Sequence, residues 1–269
     1  MADNSGSLIN IGELSKPATV LIEKISDAIG GIFRPYQVRR IAQAEAEAEK
    51  IRAVAQIEVN QLQRRAVYRF FAEEAKRQAN IEAITQKALP ILDEAAEPDK
   101  MEDDWITNFF DKCRLISDEE MQTLWSKVLA GEGNSPGTYS KRTVNILASM
   151  DKSDAEMFKK LCSFAWVIGN VVPLIYDVDA PIYGGDQVFN ILNHLEICGL
   201  ISFEPLAGFV RLVPQKSVHV QYYGQRVTIE FANDANNRMN IGTVLLSKAG
   251  QELAGVYKIS ASFGASRSD

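Results

Sequence analysis

The chain has few of the residue types on which metal and catalytic sites depend. Its 269 residues include two histidines, His194 and His219, and three cysteines, Cys113, Cys162 and Cys198. Zinc sites need about four convergent ligands, and we interpret neither histidine as paired in its spacing with a cysteine. We therefore expect no metal. The cysteines are too few and too far apart for a disulfide scaffold, which favours reduced core thiols in a cytoplasmic protein.

Residue pairs for nucleophilic catalysis are not evident either. The sequence places no serine or cysteine beside a histidine. The glycine-rich segment 131–137 follows no predicted strand and ends in no Lys-Ser/Thr, so we interpret it as a connection between helices rather than a phosphate-binding loop. We predict a non-enzymatic protein with no catalytic residue and no cofactor.

Long apolar runs and a basic surplus are also absent. The longest uncharged stretch, residues 161–176, is shorter than the ~20 apolar residues that cross a bilayer. The formal net charge is -6 and the pI is about 5.2. Proteins that bind nucleic acids mainly through phosphates usually carry excess positive charge, so the composition disfavours that class.

The sequence has instead a long helix-forming segment. Residues 36–89 contain neither proline nor glycine and are rich in alanine, glutamate, glutamine, arginine and lysine. We predict a helical arm over residues 36–92. Apolar residues recur along it at spacings of three and four: Ile41, Ala44, Ala48, Ile51, Ala55, Leu62, and then Ile81, Ile84, Ala88 and Ile91. No small core covers such a length, so the stripe predicts a second long helix as its partner and hence a homo-oligomer.

Three alternatives for the arm stay open. The partner helix could come from the same chain. The arm could be a single solvated helix that is held by pairs of glutamate with lysine or arginine. A break near Tyr68–Phe71 would instead make it a helical hairpin.

The segment 18–35, which follows a flexible N-terminus of residues 1–17, has the pattern of an amphipathic helix. Its apolar face consists of Val20, Leu21, Ile25, Ile29 and Phe33. Such a face binds a membrane surface or a protein partner. Acidic residues on the opposite face weaken attraction to anionic lipid, so we favour packing against the helical block and keep a peripheral membrane contact as the alternative.

Residues 100–170 are predicted to form a helical block. Ser117 with Glu120, and Ser153 with Glu156, match the capping box that begins a helix. The second of these helices is expected to continue through Trp166.

A further helix of the block is expected to begin at residues 140–143. Helix N-termini attract anions, so we predict a candidate anion site at Ser140, Lys141, Arg142 and Thr143.

Residues 171–260 are predicted to form an α+β module that resembles a winged helix, followed by a flexible tail of residues 261–269. The pattern indicates a strand over 171–176, a helix over 187–199, a hairpin that turns at Gly224-Gln225, and a final helix that Ser247 caps. The predicted fold class is thus mainly α, with a long N-terminal helical arm, a helical middle block and a smaller α+β C-terminal module.

A winged helix presents its second helix to the DNA major groove. The helix predicted over 187–199 offers no arginine or lysine, but the following hairpin offers Arg211, Lys216 and Arg226 as candidate phosphate contacts. Binding of DNA or RNA is therefore an alternative prediction, and not the favoured one.

Three stretches carry a resemblance to a family of bacterial proteins known only as a domain of unknown function. They are LIEKISDAIGG at residues 21–31, LISDEEMQTLWSKVLAGE at residues 115–132, and HLEICGLI at residues 194–201, with LSKAGQEL at residues 246–253. The second stretch also resembles the middle of the abortive-infection alpha proteins of phage-defence loci. The resemblance implies a role in defence and supplies no catalytic residue. We predict a self-associating interaction or scaffold protein, with a DNA- or RNA-binding regulator and a membrane-surface effector as alternatives.

Overall fold

The computed structural model describes residues 14–29 and 61–257, which form two compact units divided between Thr138 and Tyr139. This division falls inside the helical block predicted over residues 100–170. The first part of the predicted arm, residues 36–60, lies outside the described residues, as do Phe33 and the tail of residues 261–269. Within the described ranges, no helix combines the length and the apolar character needed to cross a membrane.

The N-terminal unit is built from helices. They are α1 (Lys16–Ile29), α2 (Gln61–Ala88), α3 (Asp103–Cys113) and α4 (Glu119–Asn134), with short 3-10 turns at Leu89–Ile91 and Pro98–Lys100. Helix α1 packs on α3, and α2 packs on α4. Because α2 passes through Tyr68–Phe71 without interruption, the alternative of a break there is wrong.

Aromatic side chains of α3 and α4 form the centre of this unit. Phe109 lies between Trp105, whose ring stacks on it at a centroid distance of 5.0 Å, and Trp125, whose ring meets it edge-on at 5.0 Å. Phe109 and Trp125 are 0 % exposed. The four-residue spacing of Trp105 and Phe109 places both rings on the face of α3 that turns inward.

At both predicted capping boxes, the residue that caps the helix is an aspartate and not the predicted serine. The cap of α4 is Asp118, not Ser117, and its carboxylate accepts from the N–H groups of Glu120 and Met121 at 3.0 Å each. The later helix begins after Asp151, not Ser153. A carboxylate adds charge to the hydrogen bond at the positive end of a helix, which favours aspartate over a neighbouring serine.

The glycine-rich segment was only partly predicted. Residues 131–134 continue α4, so the loop is limited to the residues after Asn134. The backbone N–H of Gly137 donates to the buried carboxylate of Glu132 at 2.6 Å, which closes the loop onto the helix end.

The C-terminal unit combines helices with antiparallel strands. Its elements in chain order are α5 (Lys141–Ser149), α6 (Lys152–Cys162), β1 (Ala165–Ile168), β2 (Asn170–Pro173), α7 (Val188–Ile197), β3 (Ile201–Phe203), β4 (Val210–Val213), β5 (Ser217–Tyr222), β6 (Gln225–Glu230), β7 (Asn237–Asn240), β8 (Val244–Leu246) and α8 (Lys248–Ala254). The predicted helix through Trp166 is wrong, because α6 ends at Cys162 and Trp166 belongs to β1.

Strands β3 to β8 form nested antiparallel pairs. The inner pair is β5 with β6, the next is β4 with β7, and the outer is β3 with β8. Strand β5 also pairs with β1, which gives a four-stranded sheet in the order β2-β1-β5-β6. Buried side chains of this sheet and of the β4–β7 pair with the residue after it form a small second core: Ile168, Val172, Val213, Val220, Met239 and Ile241.

Turn chemistry explains two details of this unit. The innermost hairpin turns at Tyr223-Gly224, one residue before the predicted position, and both residues have positive φ, 45° and 82°. Positive φ at both central residues defines the type I′ turn that suits a two-residue hairpin. Gly199, with φ 77°, ends α7 as predicted, and Ser247 caps α8 as predicted.

The predicted fold class is confirmed at the level of a mainly helical chain with a smaller α+β part in its C-terminal region. The described part of the arm is helical, and strands begin at residue 165. Helical spacing and alternation are thus reliable signals here.

The aromatic centre generates a stability prediction. Phe109→Ala removes a fully buried ring and leaves a cavity, so it should lower the free energy of unfolding by about 3–5 kcal/mol. Leu115→Ala, at a side chain that is 64 % exposed, should change it by less than about 1 kcal/mol. Urea unfolding followed by circular dichroism measures both. Equal losses would contradict the assigned core.

Candidate functional site

The N-terminal part of α2 presents a large uncovered surface. We call residues 61–79 the exposed half of α2, because none of them is buried, whereas residues 80–88 include five buried side chains. Large apolar side chains are exposed there: Leu62 by 66 %, Tyr68 by 54 %, Phe70 by 60 % and Phe71 by 41 %. Folded chains rarely leave so many on one short segment without a binding role.

Apolar residues of the exposed half lie on the same helix face as the buried residues, with charged residues such as Arg77 between the two groups. Phe70 precedes Ile81 by eleven residues and Ala66 precedes Ile84 by eighteen, which is about three and five helical turns. Ile81 is 9 % exposed and Ile84 is 0 % exposed, in the part of α2 that packs on α4. One helix face is thus covered at its C-terminal end and uncovered at its N-terminal end.

Polar contacts fix the covered end of α2. The Asn80 side chain donates to the Arg114 carbonyl oxygen at 2.9 Å, and Lys87 donates to the Gln122 side-chain oxygen at 2.9 Å. Gln122 in turn donates to the Ile116 carbonyl oxygen at 3.0 Å. These bonds satisfy polar groups that would otherwise be costly to bury, so they set the position of α2 against α4.

Charges on the exposed half are arranged in order along the helix. Arg64, Arg65 and Arg69 come first, Glu73 and Glu74 follow, and Lys76 and Arg77 come last. Within the chain, Arg69 pairs with Glu73 at 3.4 Å, and Arg77 pairs with Glu73 and Glu74 at 3.6 and 3.2 Å. Pairs at this spacing contribute about 0.2–0.5 kcal/mol each to an exposed helix.

The apolar face of α1 is covered inside the N-terminal unit. Leu21 and Ile25 are 0 % exposed, and Val20 and Ile29 are partly buried. Lys24 on the same helix forms an ion pair with Asp103 of α3 at 2.7 Å. This arrangement matches the packing that we favoured from the sequence, and a membrane contact through this face would require α1 to leave α3.

The predicted anion site at the start of α5 holds a carboxylate of the chain itself. Ser140 caps the helix as predicted, and the Glu252 side chain of α8 accepts from the Ser140 N–H at 2.7 Å and from the Thr143 hydroxyl at 2.5 Å. Lys141 and Arg142 are both exposed. Sequence reasoning identified a place for negative charge and missed that Glu252 supplies it.

The predicted nucleic-acid contacts are dispersed, and two of them are engaged within the chain. The Arg211 guanidinium donates to the Ile168 carbonyl oxygen, and Lys216 pairs with Asp234 at 3.1 Å. Arg226 is exposed on β6. Nucleic-acid binding through these residues stays a prediction.

The cysteines differ in their surroundings. Cys113 and Cys162 are buried, and burial raises the pKa of both thiols. Cys198 is partly exposed, and its pKa is raised by desolvation and by the charge of Asp154. A raised pKa keeps these thiols protonated near neutral pH, unlike the activated cysteine of a thiol enzyme.

Sequence reasoning overlooked one group of potential ligands. Cys198 directly follows α7 with helical backbone angles, four residues after His194, so the two share a helix face. Asp154 of α6 completes a group whose ligand atoms all lie within 4.8 Å of one another. The His-x-x-x-Cys spacing was the signal in the sequence, whereas the contribution of Asp154 could not be read from it.

These features define a helical protein with an exposed helix surface, in which no described helix could span a membrane. The chain belongs to the family described as "Protein of unknown function (DUF2806)", whose model matches residues 64–262. No curated protein and no solved structure is significantly similar to the chain.

The Glu252 contact generates the second prediction. Glu252→Gln removes the negative charge at the start of α5 while keeping the side-chain length, so it should lower the free energy of unfolding by about 1–2 kcal/mol. Glu156→Gln, at an exposed carboxylate of the same unit, is the matched control and should change it by less than about 0.5 kcal/mol. Urea unfolding compares the two variants. An unchanged free energy of unfolding in Glu252→Gln would contradict a structural role for this carboxylate.

Proposed function

We propose that the protein is a non-enzymatic interaction protein that self-associates through the exposed half of α2. The observation that carries this proposal is the alignment of Leu62, Ala66 and Phe70 with the helix face that Ile81 and Ile84 bury against α4. The same helix face is covered by α4 at one end, and a further helix would cover it at the other by the same kind of packing.

The order of charges supports a second copy of the chain as the occupant. In an antiparallel pair of α2 helices that are level at Arg69, Arg64 and Arg65 of one copy lie at the height of Glu74 and Glu73 of the other. A parallel pair would place like charges opposite one another. Complementary charges select orientation and partner, while apolar burial supplies most of the affinity.

The third prediction concerns Phe70. Phe70→Glu places a charge in the stripe, and in a two-fold pair the change occurs twice. Burying such a side chain is worth about 1.5–3 kcal/mol. Loss of this burial in both copies should therefore raise the dissociation constant at least about a hundredfold. Sedimentation equilibrium over a range of protein concentrations measures it.

The control for this variant lies two residues further along α2. Ala72 is also exposed, and two residues rotate it by about 200° from Phe70, to the opposite face. Ala72→Glu adds the same charge and should leave self-association unchanged. If the unmodified protein is monomeric at high micromolar concentration, or if both variants behave alike, self-association through this surface is wrong.

We propose phage defence as the biological setting. This rests on the resemblance of residues 115–132 to abortive-infection alpha proteins, a stretch that includes the buried helix α4 against which α2 is held. In cells challenged with diverse phages, the gene should reduce plating efficiency, Phe70→Glu should remove that protection and Ala72→Glu should retain it. Equal plaque numbers with and without the gene would contradict the setting and leave the self-association to be judged by sedimentation.

A winged-helix-like C-terminal unit that binds DNA or RNA is the second proposal. Its support is the order of elements, because the nested ribbon β3–β8 follows α7 as a wing follows the second helix of that fold. Phosphate contacts make affinity fall steeply with salt. A mobility shift at low salt that Arg226→Ala weakens would support this proposal, and the absence of any shift at low salt would remove it.

A further inference from the structure

Three different ligand-type side chains converge in the C-terminal unit. Asp154 Oδ1 lies 2.7 Å from His194 Nε2, and Cys198 Sγ lies 3.5 Å from the same nitrogen. All three ligand atoms lie within 4.8 Å of one another. A carboxylate, an imidazole and a thiol that meet at one point are the donor set of proteins that bind divalent transition metals.

This geometry does not suit a proton relay. In a nucleophile–histidine–carboxylate triad, the nucleophile contacts one ring nitrogen and the carboxylate contacts the other. Here, both neighbours contact Nε2 of His194. A neutral imidazole nitrogen either donates or accepts a hydrogen bond, so it cannot donate to Asp154 while it accepts the thiol proton. A cation at this point, in contrast, accepts an electron pair from each of the three groups.

We propose that Asp154, His194 and Cys198 form a binding site for a zinc-like divalent cation. Zn–N bonds of about 2.0 Å and Zn–S bonds of about 2.3 Å place the two ligand atoms about 3.5 Å apart in a tetrahedral site, which is the separation of Nε2 and Sγ here. The closer Asp154–His194 contact opens by about 0.6 Å on binding. This is a small movement for His194, whose side chain is 46 % exposed.

The carboxylate is held ready for this role. Asp154 is 7 % exposed, and its second oxygen accepts from the backbone N–H of Asp151 at 2.9 Å in the capping box of α6. This bond fixes the side chain and leaves Oδ1 directed at His194. Hydrogen bonds of this kind orient metal ligands. The partial exposure of His194 and Cys198 leaves a fourth position for water or a further ligand.

Cobalt substitution of the full-length chain tests the site. Co²⁺ bound through Cys198 should produce a thiolate charge-transfer band and the intense visible bands of tetrahedral cobalt, at one ion per chain. Cys198→Ser should remove the charge-transfer band. His194→Gln and Asp154→Asn should each weaken Zn²⁺ binding at least about tenfold, measured by competition with a chromophoric chelator. Asp154→Asn retains an oxygen for the Asp151 N–H, and circular dichroism verifies the fold.

The control is His219→Gln, at the second histidine of the sequence, which pairs with Thr228 on the hairpin at 3.0 Å. It should bind Zn²⁺ and Co²⁺ as the unmodified chain does. The absence of stoichiometric Co²⁺ binding, a charge-transfer band that survives Cys198→Ser, or equal losses for His219→Gln and His194→Gln would each overturn the proposal.

Alkylation of thiols gives an independent readout. Cys113 and Cys162 are buried, so a mild alkylating reagent should modify Cys198 in the folded protein. Zn²⁺ should slow that modification at least about tenfold in the unmodified chain and in His219→Gln, and should slow it much less in His194→Gln at the same Zn²⁺ concentration. An unchanged rate with Zn²⁺ would contradict coordination by Cys198. The site is independent of α2, so Phe70→Glu should bind the metal normally.

Discussion

The attachment of one end of α2 is the constraint on which the N-terminal unit depends. Residues 80–88 bury an apolar face against α4, and Asn80 and Lys87 fix that face through hydrogen bonds. A helix that is nucleated at one end propagates at little cost when it meets no glycine or proline, and residues 61–79 contain neither. The packed end therefore holds an otherwise uncovered helix in a defined conformation. Its exposed apolar stripe is the reason for proposing a second copy as partner.

In the C-terminal unit, carboxylates at helix starts connect segments that are distant in sequence. Glu252 joins α8 to the first turn of α5, over about a hundred residues. Asp154 caps α6 with one oxygen and reaches His194 of α7 with the other. Each carboxylate satisfies orphan N–H groups and also contacts a second element, so the helix-start chemistry contributes to tertiary packing. In the case of Asp154, the same arrangement produces the proposed metal site.

The sequence predicted most helices and strands because their signals are local. Helical spacing, alternation and the glycine that ends α7 depend on neighbours within a few residues. The caps were displaced because Asp118 and Asp151 compete with nearby serines, and only the folded backbone decides between them. The strand at Trp166 was missed because its pairing with β2 and β5 is not visible in its own residues.

The candidate sites likewise combine local features that the sequence shows with distant contacts that it does not show. The anion position at Ser140 was visible in the sequence, but the side chain that fills it comes from Glu252, more than a hundred residues away. The i,i+4 spacing of His194 and Cys198 could have been read from the sequence, whereas their meeting with Asp154 requires the packing of α6 on α7. Of the exposed stripe of α2, Leu62 belongs to the stripe predicted from the sequence, and the structure adds Ala66, Phe70 and the point at which burial begins.

Self-association through the exposed half of α2, with a partner that its charges select, is the central claim. A mixing experiment tests it most directly. One variant carries Arg64→Glu, Arg65→Glu and Arg69→Glu, and the other carries Glu73→Arg and Glu74→Arg, so that the exposed half becomes acidic in one and basic in the other. Each variant alone should sediment as a monomer, because residues 64–74 of identical copies then oppose like charges. An equimolar mixture should form a heterodimer at low salt that dissociates as salt is raised. A mixture that remains monomeric, or single variants that associate as the unmodified protein does, would contradict the account.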